Sequence, residues 1–373
     1  MTSGNSLHLA LLLFSLGLMK PGRMNGQQKE LTNKMVSLKI NIAGGAYTHF
    51  GFIKDSINPL SWKLSQKDMP VNNRNGAPFQ GHFLCLGRWG SPSEGEIKKG
   101  VPHNGEPSRD KWLIHSSSNL NVKMSCIAPL DGLHISRNVV LDKTAPLWKV
   151  EESVTNTSSL GRIYNIVQHA TLGPPFLNTN TIVNSNAADG FLQEYCYPDP
   201  DVLSYKWPNA WKDTTRTPLD LQSSSGDLNY VSTHVFPDSC KYGWITATSP
   251  SKQLLIGYVW RTSEYPWLNI WHHSKDGVPL AKGLEFGTTG IGKPYSDLLQ
   301  RETFFRGHQS YEYIDAAEVK RKSFFCFLVK VPEQFKGVEK IEVKGSSIVL
   351  TLNSGTVTEH VIAIDLLLTG PSL

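Results

Sequence analysis

The sequence predicts an all-β protein, a sandwich or barrel of many short strands. Three observations carry that prediction. Runs rich in β-branched and aromatic residues recur from end to end, clusters of Gly, Pro, Asn or Ser separate many of them, and long stretches of helical periodicity are absent. The strand-like runs are Ser37 to Ile42, Val139 to Asp142, Trp148 to Val154, Gly161 to His169, Trp244 to Ala247, Leu254 to Trp260 and Phe324 to Val331. Near the C-terminus, Lys340 to Lys344 and Ile348 to Leu352 flank Gly345-Ser346-Ser347, which reads as a hairpin.

Length alone allows one large β domain or two ordinary ones across 373 residues. No internal repeat or low-complexity linker divides the chain. The Pro/Asn/Gly-rich stretches 68–78, 91–111 and 197–227 each lie between strand-like runs, so they read as long loops on one domain spanning 27–373. Loops of that length in a compact domain are usually functional or disordered. Arg88 nearby, His103, Arg109, Trp207 and Trp211 favour a functional role.

The N-terminus holds a short apolar run, Leu7 to Met19, followed by a polar stretch. The run is too short to span a bilayer comfortably and reads as the apolar region of a signal peptide ending near residue 26. Its removal takes away Lys20 and Arg23 and no acidic residue, so the formal charge falls from +5 to +3. A secreted or periplasmic protein with no membrane span in the mature chain is expected.

Charge excludes some partners. The 37 basic and 32 acidic residues are spread along the chain, with no Lys/Arg block of the kind that binds nucleic acid or a membrane surface. The ten Trp and twelve Tyr suit a surface that stacks on the C–H faces of sugars, although large β cores also consume aromatics. Five widely spaced cysteines include no C-x-x-C pair, which argues against a zinc ribbon, a thioredoxin-type site or a disulfide scaffold. Cys85 and Cys326 sit in apolar runs and read as core residues.

Most of the twelve histidines are discounted, because a lone His is more often structural than catalytic. No metal-ligand spacing is present, and the adjacent His272 and His273 would face opposite sides of a strand. No nucleophile elbow, phosphate loop or dinucleotide-binding glycine pattern stands in a convincing context. Three segments remain. Residues 100–112 form a polar loop with His103, Glu106 and Arg109 crowded together. A β run brings His169 to a strand end, just before Gly173-Pro174-Pro175. In Gly283-Leu284-Glu285-Phe286-Gly287, a carboxylate between two apolar residues should be partly desolvated, which raises its pKa and suits a general base.

In order along the chain, these segments resemble the signature regions of the aldose 1-epimerase (mutarotase) family, in particular its uncharacterised epimerase-like branch. The runs similar to that branch are 167–177 (VQHATLGPPFL), 243–250 (GWITATSP), 257–271 (GYVWRTSEYPWLNIW) and 283–290 (GLEFGTTG). The resemblance covers roughly Ser37 to Leu328 and implies the galactose mutarotase-like β-supersandwich. It also implies an isomerase that interconverts sugar anomers by acid/base chemistry, without metal or cofactor, on a monosaccharide or oligosaccharide. His169 matches the acid that protonates the ring oxygen, and Glu285 the base that takes the anomeric proton. His103 is similar to a sugar-binding His. Arg88 and Arg109 resemble arginines that bind hydroxyls or a charged substituent, and Trp267 or Trp271 would form an aromatic wall with Arg261 nearby. Two departures stand out. Asn104 intervenes where the family has His directly before Gly, and His169 continues into Ala-Thr-Leu-Gly rather than an aromatic and Asn. Two other functions use the same scaffold: a non-catalytic carbohydrate-binding protein, and a polysaccharide lyase or hydrolase.

Overall fold

The computed structural model describes residues 28–195, 199–300 and 304–364. The expected signal peptide and Cys196 lie outside the described residues. Two large antiparallel sheets dominate. The first has ten strands, in the spatial order Gln28–Thr32, Val36–Asn41, Tyr47–Phe52, His82–Leu86, Ile166–Leu172, Val278–Gly287, Trp267–Lys275, Asn229–Val235, Asp189–Leu192 and Tyr205–Lys206. The second has eight and includes Leu147–Asn156, Tyr242–Ser249, Leu254–Arg261 and Val319–Lys330. A smaller sheet of three strands covers Gly337–Lys344, Ser347–Asn353 and Val357–Ala363.

Alternation of side chains along each strand explains the layering. Leu84, Leu86, Ala170, Leu284 and Phe286 from the ten-stranded sheet meet Trp148, Val150, Tyr258, Trp260 and Phe324 from the eight-stranded sheet in one core. Residues of opposite parity, Phe83, Cys85 and Val167, point to the other face and pack with Ala46, Met69, Phe79 and Trp89. The ten-stranded sheet is therefore covered by packed side chains on both faces in its middle, which explains why Ile166–Leu172 is buried along its whole length.

Most of the expected strands form, with shifted ends. The C-terminal hairpin turns more tightly than expected, since Lys344 pairs with Ser347 across Gly345 and Ser346. The run from Gly161 to His169 is the clear correction. It divides into Arg162–Tyr164 and Ile166–Leu172. The first piece pairs with Glu312–Ile314, while the Asn165 carbonyl accepts from Gly87 N–H at 2.8 Å, so the backbone changes partners there. Consequently His169 stands mid-strand rather than at a strand end. Residues 91–111 contain the short helix Glu94–Lys98, started by a capping box in which Ser93 and Glu96 satisfy each other's backbone N–H groups. Cys85, Cys126 and Cys326 are buried free thiols, and Cys240 is half-buried. No helix among the described residues is long and apolar enough to cross a membrane.

Candidate active site

Cross-strand pairing builds the site. His169 and Glu285 lie directly opposite each other on neighbouring antiparallel strands, 116 positions apart in sequence. Phe83 pairs with His169 on the other side, and Asn269 with Glu285. Directly opposed residues share a face, so Phe83, His169, Glu285 and Asn269 form one row on the face turned away from the eight-stranded sheet. His169 Nε2 is 3.2 Å from Glu285 Oε1.

Each member of the pair has a second partner. Trp89 Nε1–H donates to Glu285 Oε2 at 2.8 Å. Thr171 Oγ1 lies 2.8 Å from His169 Nδ1. The His169 ring stacks on Phe83 at 4.2 Å between centroids and meets Trp271 edge-on at 6.1 Å. Trp62 packs perpendicular to Trp271 at 5.5 Å. The aromatic series continues from Phe83 through Phe79 to His103.

Burial sets the charge state. Glu285 is 1% exposed and His169 9%. Desolvation raises the Glu285 carboxyl to about 8, opposed only by the Trp89 hydrogen bond. Desolvation lowers the His169 imidazole to about 3. Near pH 7 the contact is therefore a hydrogen bond between a protonated carboxyl and a neutral imidazole, not an ion pair. Together the two groups hold one exchangeable proton.

Backbone space is part of the design. A Cβ on Gly283 would stand 2.6 Å from Glu285 Oε1 and 3.2 Å from Trp271 Cβ, so the missing side chain leaves room for the carboxyl. Gly105 has φ +79°, and a Cβ there would meet the Leu86 carbonyl at 1.9 Å, which lets the His103 loop lie against the sheet. Asn104, the residue that departs from the family pattern, adopts φ 62° and accepts from Gly90 N–H through Oδ1 at 2.8 Å.

The other predicted site residues divide. His103 reaches the aromatic series beside the pair, with Nδ1 3.1 Å from Ser91 Oγ, and burial lowers its pKa to about 4. Trp271 borders His169. Trp267 does not: it is buried with Phe191 and Phe305, and its indole N–H donates to the Gln309 carbonyl at 2.8 Å. Arg88 is buried, bonded to Glu96 at 2.5 Å and stacked on Tyr295. Arg109 is held by Asp110 through two hydrogen bonds, at 2.7 and 2.9 Å. Arg261 belongs to the eight-stranded sheet and lies 4.0 Å from Glu264. Among the described contacts, none joins these three arginines to His169 or Glu285. As expected for adjacent strand residues, His272 is buried and His273 exposed.

Trp89, Thr171 and Phe83 were missed from the sequence. Trp89 follows a buried strand in Gly87-Arg88-Trp89-Gly90, beyond the strand end at Leu86 and past Gly87 at φ +77°, so strand alternation does not reach it. Among the described residues, no group of three or more His, Cys, Asp or Glu side chains is arranged to hold a metal ion. A surface cleft of about 590 Å³, lined by Thr181, Asp220, Gln222, Ser223, Glu333 and Phe335, lies apart from the pair.

This architecture is the galactose mutarotase-like β-supersandwich. In sequence, no protein-family model and no curated protein matches the chain. In structure it is similar to the galactose mutarotase related enzyme of Lactobacillus acidophilus, with TM-score 0.58 and 10% identity over 82% of this chain and 98% of that one. A galactose mutarotase-like protein of Lactobacillus casei gives TM-score 0.55 and 13% identity over 81% and 100%. One from Clostridium acetobutylicum gives 0.53 and 14% over 83% and 100%. At such identities the likeness establishes the fold.

Proposed function

We propose that this protein is an aldose 1-epimerase-like isomerase with His169 and Glu285 as its proton-transfer pair. The observation that carries the reading is their 3.2 Å separation on adjacent strands. In a cyclic aldose the anomeric hydroxyl and the ring oxygen are bonded to the same carbon. The acid and the base that serve them must therefore stand side by side, as these groups do.

The shared proton fits the reaction. With the sugar engaged and the proton on His169 Nε2, His169 delivers it to the ring oxygen while Glu285 takes the anomeric hydroxyl proton. The bond from C1 to the ring oxygen breaks, and the anomeric oxygen becomes an aldehyde oxygen. After rotation about the bond from C1 to C2, ring closure on the opposite face returns both protons. The pair ends in its starting state, and each residue serves once as acid and once as base. Trp271 and Trp62, both partly exposed, supply apolar faces for a sugar ring, while Phe83 is buried behind the His169 ring.

Proton-transfer groups of this kind contribute roughly 10²- to 10⁴-fold. Polarimetry or proton NMR of freshly dissolved aldoses tests the reading. Glu285→Gln and His169→Ala should each lower anomer interconversion by about that factor while retaining the fold. Full activity in Glu285→Gln would overturn the assignment of base.

The burial of the pair supports one second reading, a carbohydrate-binding protein in which the two groups have closed on each other. Calorimetric binding of a glycan without interconversion would favour it. A lyase or hydrolase acting on an acidic polysaccharide is less well supported, because Arg88 and Arg109 already have acidic partners.

A further inference from the structure

The geometry points to Thr171 as a positioning residue that holds His169 in the tautomer with its proton on Nδ1, leaving Nε2 free to exchange a proton with Glu285. The inference rests on the proposed role of the pair. Thr171 follows His169 by two residues on one strand, so both side chains occupy the same face. Its side chain is fully buried, and Oγ1 lies 2.8 Å from Nδ1. No other hydrogen bond is described for that hydroxyl.

A neutral imidazole carries its proton on one nitrogen and a lone pair on the other. At the Nε2 end stands Glu285, whose buried carboxyl is protonated near neutral pH and therefore needs an acceptor. The two ends agree only when Nδ1–H donates to Thr171 Oγ1 and the Nε2 lone pair accepts from the carboxyl. The imidazolium formed when the proton crosses keeps the same Nδ1–H bond, so the transfer requires no rearrangement on the Thr171 side.

The choice of a hydroxyl has a chemical consequence. A carboxylate at this position would stabilise the imidazolium and weaken it as an acid. An uncharged hydroxyl orients the ring without adding a second carboxylate, beside Glu285, to stabilise its charged form. His169 is then a strong acid once protonated, as donation to a weakly basic ring oxygen requires. Gly283 lies across the strand from Thr171, so no neighbouring side chain on that strand competes for the hydroxyl.

Thr171→Val removes the hydroxyl at nearly constant shape, and Thr171→Ser keeps it. Nitrogen-15 NMR of the His169 ring should show an Nδ1–H tautomer in the wild type and in Thr171→Ser, and a measurable share of the Nε2–H tautomer in Thr171→Val, where the Glu285 contact and the ring's bond to its own backbone alone favour Nδ1–H. Anomer interconversion in Thr171→Val should fall in kcat by about tenfold to a hundredfold, the scale of one buried hydrogen bond, with KM nearly unchanged. Thr171→Ser should recover most of that loss. A Thr171→Val protein that melts normally and keeps both the Nδ1–H signal and full turnover would overturn the inference. The NMR readout is independent of turnover. If the wild type interconverts no sugar but the tautomer changes as expected, the epimerase reading falls and the role of Thr171 stands. An unchanged tautomer with an active wild type has the reverse meaning.

Discussion

Replacing Glu285 with Gln should change how stability depends on pH, and the size of the change follows from burial. Glu285 is 1% exposed, and burial raises its carboxyl from an ordinary value of 4.5 to about 8. The folded protein thus keeps a proton that the unfolded chain releases in that interval. A raised folded-state value gives stability that is fully present below pH 4.5 and lost as pH rises through 8. The slope is at most about 1.4 kcal/mol per pH unit, so the wild type should lose up to roughly 4 kcal/mol from this group between pH 5 and pH 8. Glu285→Gln removes the titration while keeping an acceptor for the Trp89 N–H. His169 has the opposite sign: its folded value is depressed, so its contribution is present above pH 6.5 and lost as pH falls through about 3. The interval from pH 6.5 to 8 therefore isolates Glu285. Lys282, lowered to about 7, and Glu106, raised to about 7, also titrate in this interval, but both are common to the two proteins and cancel in the difference. Urea unfolding at pH 5, 6, 7 and 8, with unchanged m-values, gives the two curves. They should lie closest near pH 5 and separate progressively up to pH 8, the variant being the more stable, because His169 too is common to both proteins. Parallel curves would refute the conclusion that a protonated carboxyl occupies this position.

Two further substitutions probe the supports of the site. Gly283→Ala places a methyl group 2.6 Å from Glu285 Oε1, so it should lower anomer interconversion by roughly tenfold or more. Unchanged kinetics would show that the carboxyl can move without cost. Glu152→Ala leaves buried Arg137, now 2.8 Å from Glu152, without its carboxylate, and should cost about 3–5 kcal/mol in denaturant unfolding. A loss below about 1 kcal/mol would mean that water or a rearranged neighbour replaces the carboxylate.

The strands were legible because a β-branched or aromatic run declares its conformation locally. What closes the site was not local. The division of Gly161 to His169 depends on Glu312–Ile314, a partner that no nearby residue announces. The arginines misled for a related reason. A sequence displays a guanidinium but not the carboxylate that occupies it, and Glu96 and Asp110 had already claimed Arg88 and Arg109. Trp267 and Trp271 lie on one face, four residues apart, yet one is sealed in a cluster and the other borders His169, a difference set by the residues that cover each. His169 and Glu285 were singled out by their neighbours and by family resemblance. Of the residues that contact them, Thr171 carries no signature beyond strand parity, and Trp89, past the end of its strand, carries none.

The core behind the site explains how so small a separation can be held. Gln168 precedes His169 and points to the opposite face, into the layer between the sheets. Its amide donates to Glu152 at 2.6 Å and to the Tyr265 hydroxyl at 3.2 Å, and its carbonyl lies 3.1 Å from His82 Nε2. Glu152 in turn accepts from Arg137 Nε at 2.8 Å. A strand that is buried on both faces has little hydrophobic reason to prefer one register over the next, since a slip by one residue only exchanges buried positions. Here such a slip would withdraw the Gln168 amide from Glu152 and place His169 against the core network. It would leave buried polar groups unpaired on both faces, at about 1–3 kcal/mol or more for each. The polar core therefore selects the register that burial alone leaves open. That register places His169 and Thr171 on the outer face, opposite Glu285 and Gly283.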